Sequence, residues 1–249
     1  MEVLMRRRAA WGLLAVTFAW GATFIWMKQA MNAIQPEIEA YGRTPVVATL
    51  VGGRFLIAFI ALFLISKQAR SALRFQQLWK GGAILGSILL VGFITQMIGL
   101  DSITPSTSAF LTSLYVVFTA LITTALTGQK VTRTMILGVA LATFGAGFIE
   151  GPPHLSWGAG EVLTVFCAFF FALHILYTQK ITEVMSPIGV TSTSFLIVAI
   201  GSFVVAILTA GTSTTDALSV LTNDGVIVPL LCLGLILSLI HISEPTRLD

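Results

Sequence analysis

Long apolar runs separated by short polar links follow one another along nearly the whole chain. A helix that crosses a bilayer needs about 20 largely apolar residues. Eight runs approach this length, at residues 9–31, 45–66, 81–100, 104–127, 134–150, 157–177, 187–209 and 226–240. Because open sheet edges cannot be satisfied in lipid, the pattern predicts an all-α polytopic membrane protein with about eight transmembrane helices.

The composition favours the same class. Of the 249 residues, 56% are hydrophobic and only 10% are charged, whereas soluble domains carry about 25% charged residues. The formal net charge of +3 is no argument for nucleic acid, so we predict the lipid bilayer and a small molecule as partners instead. Cys167 and Cys232 both lie inside apolar runs, so the sequence predicts no disulfide, metal or cofactor.

Basic residues alternate between the two sides of the predicted spans. One side carries Arg6, Arg7, Arg8, Lys67, Arg70, Arg74, Lys80, Lys130, Arg133 and Lys180. The other side has Lys28 and Arg43 near span ends and is otherwise acidic. The positive-inside rule therefore predicts a cytoplasmic N-terminus followed by an uncleaved first span. A missed helix would reverse the alternation, which supports the predicted number of spans.

Spans two and seven share a weak internal repeat. Both begin with Pro, carry Thr four residues later and then contain Phe-Leu-Ile, while span one is loosely similar to span six. A repeat unit of five spans fits this pairing, and its odd number inverts the second copy, as in many secondary transporters. The alternative is chance similarity among apolar helices.

Five features of the chain form a pattern in their order and spacing. They are AWGATFIWMK at 19–28, Arg54 in span two, GFITQMIGLDSITPSTSAFLTSLYVVFTALI at 92–122, LGVALATFGAGFI at 137–149 and GAGEVLTVFCAFFFALHILYTQK at 158–180. Together they resemble the EamA-domain branch of the drug/metabolite transporter superfamily. The resemblance covers residues 11–234. It implies a ten-helix fold of two inverted five-span repeats, which carries small organic metabolites and, in bacteria, usually exports them.

The resemblance also divides the chain. It implies a cytoplasmic basic segment at 1–8, a first five-helix repeat at 9–150 and an incomplete second repeat at 157–236. Residues 237–247, LSLIHISEPTR, instead resemble one translated frame of a transposase adaptor used to build sequencing libraries. We therefore expect residues 237–249 to be non-native, with a natural amphipathic end as the alternative. If the chain truly ended at Asp249, a homodimer or a non-transporting role would have to be considered.

Arg54 is the sharpest candidate for a functional residue. It lies about nine residues into span two, or about 14 Å along a helix, which is near the bilayer centre. An Arg at this depth costs about 2.5–3.5 kcal/mol, so we expect it to face the bundle interior or a wet cavity. Its guanidinium offers a bidentate fork for an anion or carboxylate. The alternative is a structural Arg that caps carbonyls or pairs with a buried acid, and the resemblance implies that an Arg is common here whatever the substrate.

Span four carries hydroxyl groups at steps of three or four residues, at Ser108, Thr112, Tyr115, Thr119 and Thr123. They share one helical face, which in lipid should be hidden or line a water path. The alternative is ordinary hydrogen bonding between helices. We also assign Trp20, Thr23 and Gln96 to the substrate pathway, with a bond to another helix as the alternative for Gln96. Tyr115 is the strongest candidate of this group.

Three titratable residues are candidates for coupling transport to an ion. Lys28 lies near the membrane edge, where a lysine can simply extend its ammonium group to water. Glu161 opens span six near the outer face, where solvation is the alternative to proton coupling. His174 lies about 20 Å along the same helix from Glu161, too far for a direct pair. Its alternatives are a relay role and a hydrogen-bonded structural role.

Small residues at every fourth position predict close helix packing rather than chemistry. Gly82 and Gly86 form one such pattern in span three. Gly138, Ala142 and Ala146 form another in span five.

These features together predict a secondary transporter, most simply an exporter, in the bacterial inner membrane. No P-loop is present, so we expect a gradient or exchange to drive alternating access between two inverted halves. A nucleotide-sugar or sugar-phosphate carrier of the same superfamily is one alternative, and a non-transporting scaffold or receptor is another. An enzyme is not expected, because the spans lack an intramembrane Ser–His pair, carboxylate pair or metal cluster.

Overall fold

The computed structural model describes residues 2–128, 132–148 and 157–243, and the regular structure in these ranges is helical. The α-helices are α1 Glu2–Ala33, α2 Gln35–Tyr41, α3 Arg43–Ile65, α4 Lys67–Ala72, α5 Gln76–Ser102, α6 Pro105–Ser113, α7 Tyr115–Thr127, α8 Arg133–Gly147, α9 Ala159–Thr182, α10 Pro187–Ala210, α11 Thr214–Ser219 and α12 Asp224–Ser243. Short 3₁₀ turns flank α11 at Gly211–Ser213 and Val220–Thr222. The predicted all-α class is confirmed.

A helix lies at each of the predicted spans, with α6 and α7 together at the fourth. Within the described ranges, five stretches are long and apolar enough to cross a membrane, namely α3, α5, α6 with α7, α9 and α10. A sixth is added if the pair Asp216–Thr222 and Asp224–Ile236, bent by 72°, is one span. The polytopic membrane class is therefore confirmed, while the crossing of α1 and α8 stays a prediction.

Two predictions fall largely outside the part of the chain that the structure describes. The backbone of α12 continues to Ser243, but residues 244–249 are not described. The expectation that 237–249 are non-native therefore stays a prediction. Lys130, in the predicted link between spans four and five, and Glu150, the last residue of predicted span five, also lie outside the described ranges.

The starts of α6 and α10 are fixed by local sequence. Thr104 Oγ1 accepts a hydrogen bond from Thr107 N at 3.2 Å, and Ser186 Oγ accepts one from Gly189 N at 3.3 Å. Each cap satisfies one of the backbone donors left free at a helix start. Pro follows each cap at the first helical turn, where its missing N–H costs nothing.

The centre of the bundle is formed by α3, α5 and α10. α3 is buried on most of its faces, as expected for a helix that is apolar all round. Gly82 and Gly86 bring α5 against α10, because an added Cβ at either position would lie 2.9 Å from a backbone atom of Ser194. The packing role predicted for these two glycines is confirmed. It is wrong for Gly138, whose added Cβ would meet nothing within 4 Å, and the side chains of Ala142 and Ala146 are not described.

Candidate functional site

A cavity of about 380 Å³ lies inside the bundle, between α1, α3, α5, α7, α9, α10 and α12. We call it the cavity, and its lining is Trp20, Thr23, Arg54, Phe55, Leu85, Leu89, Phe93, Tyr115, Phe171, His174, Ile175, Thr178, Thr182, Pro187, Val190, Thr191, Ser194, Phe195 and Ile236. Pockets for small molecules have volumes of about 300–1,000 Å³. The cavity is therefore large enough for one small organic molecule.

The cavity extends from the middle of the bundle to one of its ends. Thr23 and Arg54 belong to the middle turns of α1 and α3. Thr182 is the last residue of α9, and Pro187 is the first residue of α10. We call the end at which α9 finishes and α10 begins the cavity end.

Aromatic and aliphatic side chains form most of the cavity wall, and we call its Phe, Trp and Tyr side chains the aromatic wall. The ring centroids of Phe55 and Phe93 are 4.9 Å apart, and those of Phe93 and Phe171 are 5.1 Å apart. Across the cavity, Trp20 stacks on Tyr115 with centroids 6.3 Å apart. Such pairs prefer offset or edge-to-face arrangements and stabilise one another beyond simple burial. The rings therefore form a pre-organised apolar surface.

Arg54 is buried at this surface with few partners. Its side chain is only 4% exposed, and its Cζ lies 4.7 Å from the centroid of the Phe93 ring. Nη1 donates to Met27 Sδ at 3.3 Å, and a thioether is a weak acceptor. Nε has no hydrogen-bond partner among the described residues. The buried acid or capped carbonyl that a structural Arg would need is likewise not found in that part of the chain.

The cavity brings together some of the residues proposed from the sequence. Trp20, Thr23, Arg54, Tyr115 and His174 all line it. Tyr115 is the first residue of α7 and follows Leu114, a single turn residue whose backbone angles are still helical (φ −60°, ψ −12°). Thr23 Oγ1 donates to Trp20 O at 2.6 Å, which fixes its side chain beside the stacked rings. The structure gives these residues a common location, and their role in binding stays a prediction.

Other residues proposed for the pathway lie away from the cavity. Gln96 Nε2 donates to Thr112 Oγ1 at 3.0 Å, which links α5 to α6. The Ser108 hydroxyl is buried without a hydrogen-bond partner in the described ranges. Thr119 Oγ1 donates to the backbone oxygen of Tyr115 at 2.7 Å. The interhelical bond considered for Gln96 is therefore observed, Thr119 bonds within its own helix, and a pathway role for these residues stays a prediction.

Two of the three residues proposed for coupling satisfy helix ends instead of lining the cavity. Lys28 Nζ donates to the backbone oxygens of Leu100, Asp101 and Ile103 at 2.8, 3.0 and 3.0 Å. These carbonyls lie where α5 ends, and a cation there also complements the helix dipole. Glu161 Oε2 accepts from Gly158 N at 3.0 Å, at the start of α9. A coupling role for any of the three stays a prediction.

A network of polar side chains joins the helices at the end of the bundle opposite the cavity end. Asp101 Oδ2 lies 2.9 Å from Arg43 Nη2, and Asp101 Oδ1 accepts from Gln35 Nε2 at 2.6 Å. Asn223 Nδ2 donates to Glu37 Oε1 at 2.8 Å. We call this network the clasp, and it consists of Lys28, Gln35, Glu37, Arg43, Asp101 and Asn223. It connects α1, α2, α3, α5 and the start of α12.

Sequence reasoning missed the clasp and most of the aromatic wall. The charge pattern predicts Arg43 and the acidic residue Asp101 on the same side of the membrane. Nothing in the sequence indicates that the two side chains face one another. Phe55, Phe93 and Phe171 are unremarkable within apolar runs. Charged and amide side chains near predicted span ends are the signal that could have pointed to the clasp.

Comparison with known proteins gives two matches. The profile of the EamA-like transporter family matches residues 7–150. An uncharacterized transporter from Archaeoglobus fulgidus is 29% identical over 188 residues, which are 75% of this chain and 54% of the relative. The chain therefore spans about half the length of that curated relative. No solved structure matches the chain.

Proposed function

The chain belongs to the EamA-like transporter family, and from this premise we propose that it is a secondary transporter of small organic metabolites that works by alternating access. The observation that carries the proposal is the opposition between the cavity and the clasp. The cavity reaches one end of the bundle, while hydrogen bonds and an ion pair join the helices at the other end. A carrier of this kind exposes a central site to one side at a time.

Charge supports a cytoplasmic location for the cavity end. Lys67, Arg70 and Lys180 belong to the helices that meet there, α4 and α9. The positive-inside rule assigns such an end to the cytoplasm. We propose accordingly that the protein lies in a bacterial inner membrane with its N-terminus in the cytoplasm and the cavity facing the cytoplasm. Export, the direction that the resemblance implies, would then begin with loading from this side.

The lining favours a small organic molecule without phosphate groups over a nucleotide sugar or a sugar phosphate. Phosphate groups in proteins are usually held by several cationic or amide donors. Arg54 is the one Arg or Lys in the lining that the structure describes. The mainly apolar wall suits an apolar molecule with a single charged group better than a phosphorylated sugar.

Side-specific labelling tests the proposed orientation. Thr178→Cys would be introduced inside the cavity and Thr209→Cys as an exposed control near the opposite end of α10, both in a Cys167→Ala, Cys232→Ala background. We expect a membrane-impermeant maleimide to label Thr178→Cys from the cytoplasmic side of vesicles and Thr209→Cys from the other side. The reverse pattern would overturn the orientation.

Flux tests the activity itself. The full chain would be reconstituted in vesicles and presented with radiolabelled amino acids and carboxylic acids, with and without an imposed proton gradient. Movement of any of these solutes above that of empty vesicles supports a carrier. If none moves, and a cysteine in the cavity stays accessible from one side under every condition, the non-transporting scaffold or receptor is favoured instead.

A further inference from the structure

We propose that the cavity binds a monocarboxylate with an apolar body about the size of an aromatic ring, with the carboxylate on Arg54 and the body against the aromatic wall. This inference rests on the proposed transport function, since it names the class of molecule carried by the same site. It starts from the absence of a counter-charge at Arg54 among the described residues.

A buried guanidinium without an acceptor is unfavourable. Desolvation of a charge in a protein interior is offset only by an opposite charge and by hydrogen bonds. Arg54 donates a bond to the sulfur of Met27, and Nε finds no partner in the described part of the chain. The Phe93 ring, 4.7 Å from Cζ, stabilises the cation but offers no lone pair in its plane. A ligand carboxylate would supply the missing acceptor.

The geometry of the guanidinium favours a carboxylate over a lone hydroxyl or amide oxygen. Its N–H groups form a planar fork that matches the two oxygens of a carboxylate. Nη1 is directed at Met27 and Nε is enclosed by protein, which leaves Nη2 as the donor for a ligand. Two more polar atoms of the lining residues, Thr178 Oγ1 and Ser194 Oγ, are enclosed without a partner in the described ranges.

The remaining lining specifies the rest of the molecule. Phe93, Phe171, Trp20 and Tyr115 all line the cavity. Their apolar surfaces favour an apolar body, and an aromatic one would also make ring contacts. A second anionic group on the ligand would meet no Lys or Arg in the described lining, where His174 is the one further basic side chain. The lining therefore favours a ligand with one negative charge.

Binding of phenylacetate to the full chain in lipid nanodiscs tests this inference. Radiolabelled phenylacetate is the probe, phenylacetamide is its uncharged analogue, and acetate is the carboxylate without an apolar body. We expect phenylacetate to bind at least about tenfold more tightly than phenylacetamide. The amide keeps one acceptor oxygen for the guanidinium but loses the second acceptor and the negative charge. Acetate should compete more weakly still, because it leaves the aromatic wall uncovered.

Variants of Arg54 and Phe93 show which side chains produce the preference for the acid over the amide. Arg54→Met should bring the affinities for phenylacetate and phenylacetamide together, and Arg54→Lys should keep only part of the difference. Arg74→Met removes an exposed arginine outside the cavity and should behave like the unmodified chain. Phe93→Ala should weaken phenylacetate relative to acetate while the acid remains preferred over the amide.

Two results would overturn the inference. One is equal competition by phenylacetamide and phenylacetate in the unmodified chain, and the other is an undiminished acid preference in Arg54→Met. If Arg54→Met does not fold, Arg54→Lys and Phe93→Ala decide the question, since the first removes the planar fork but keeps the charge and the second removes apolar contact alone; an unchanged acid preference in Arg54→Lys together with unchanged binding in Phe93→Ala would overturn the inference. Flux of uncharged solutes without any acid preference would reject this substrate class and leave the transporter function standing.

Discussion

The clasp and the cavity differ in how many hydrogen-bond partners their charged side chains have. In the clasp, Asp101 has two side-chain partners, at 2.6 and 2.9 Å, and Lys28 donates three hydrogen bonds. Glu37 Oε2 is an exception, because it is buried without a partner in the described ranges. In the cavity, Arg54 has only a sulfur acceptor. The difference indicates that the clasp joins helices, whereas the guanidinium of Arg54 keeps donors that the described residues do not satisfy.

Removal of Asp101 should be the most damaging change to this contrast. Asp101→Ala deletes the ion pair with Arg43 and the bond from Gln35, and the Asp101 side chain is only 8% exposed. We expect the free energy of unfolding to fall by about 2 kcal/mol, less than for a fully buried pair because Arg43 is half exposed. Unfolding by SDS in mixed micelles measures it. Asp216→Ala, at an exposed acid of α11, is the control, and an equal loss there would contradict a special role for Asp101.

A smaller effect is expected at Lys28. Lys28→Met keeps most of the side-chain stem and removes the three hydrogen bonds to the end of α5. The loss should be about 1 kcal/mol, because water can reach some of the released carbonyls. Hydrogen exchange of the amides in the last turn of α5 should become faster, whereas Lys67→Met on α4 should leave them unchanged. Unaltered exchange in Lys28→Met would show that α5 ends without this support.

The smallest effect on stability should come from the cavity. Tyr115→Phe removes a hydroxyl and keeps the ring that stacks on Trp20. We expect the free energy of unfolding without ligand to change by less than about 0.5 kcal/mol. The same SDS titration measures it. A loss as large as that of Asp101→Ala would place the Tyr115 hydroxyl among the groups that hold the fold and would remove the contrast between the two regions.

The sequence predicted the helices well because hydropathy alone determines which segments can enter lipid. Arg54 was expected to face an interior space for the same reason, and its side chain lines the cavity. The side-chain partners of Asp101 could not be predicted, because they depend on how α2, α3 and α5 are rotated about their axes. Helix existence is thus a local property, whereas a site made of several helices depends on their register.

The close contact at Gly82 and Gly86 has a consequence for motion. The backbones of α5 and α10 approach so closely that no layer of side chains lies between them. Shear motion slides packed helices past one another, and here no intervening side chains can change rotamer to permit it. We expect these two helices to turn as one rigid body. A change of access must then move other helices that line the cavity, among them α1, α7, α9 and α12, relative to this pair.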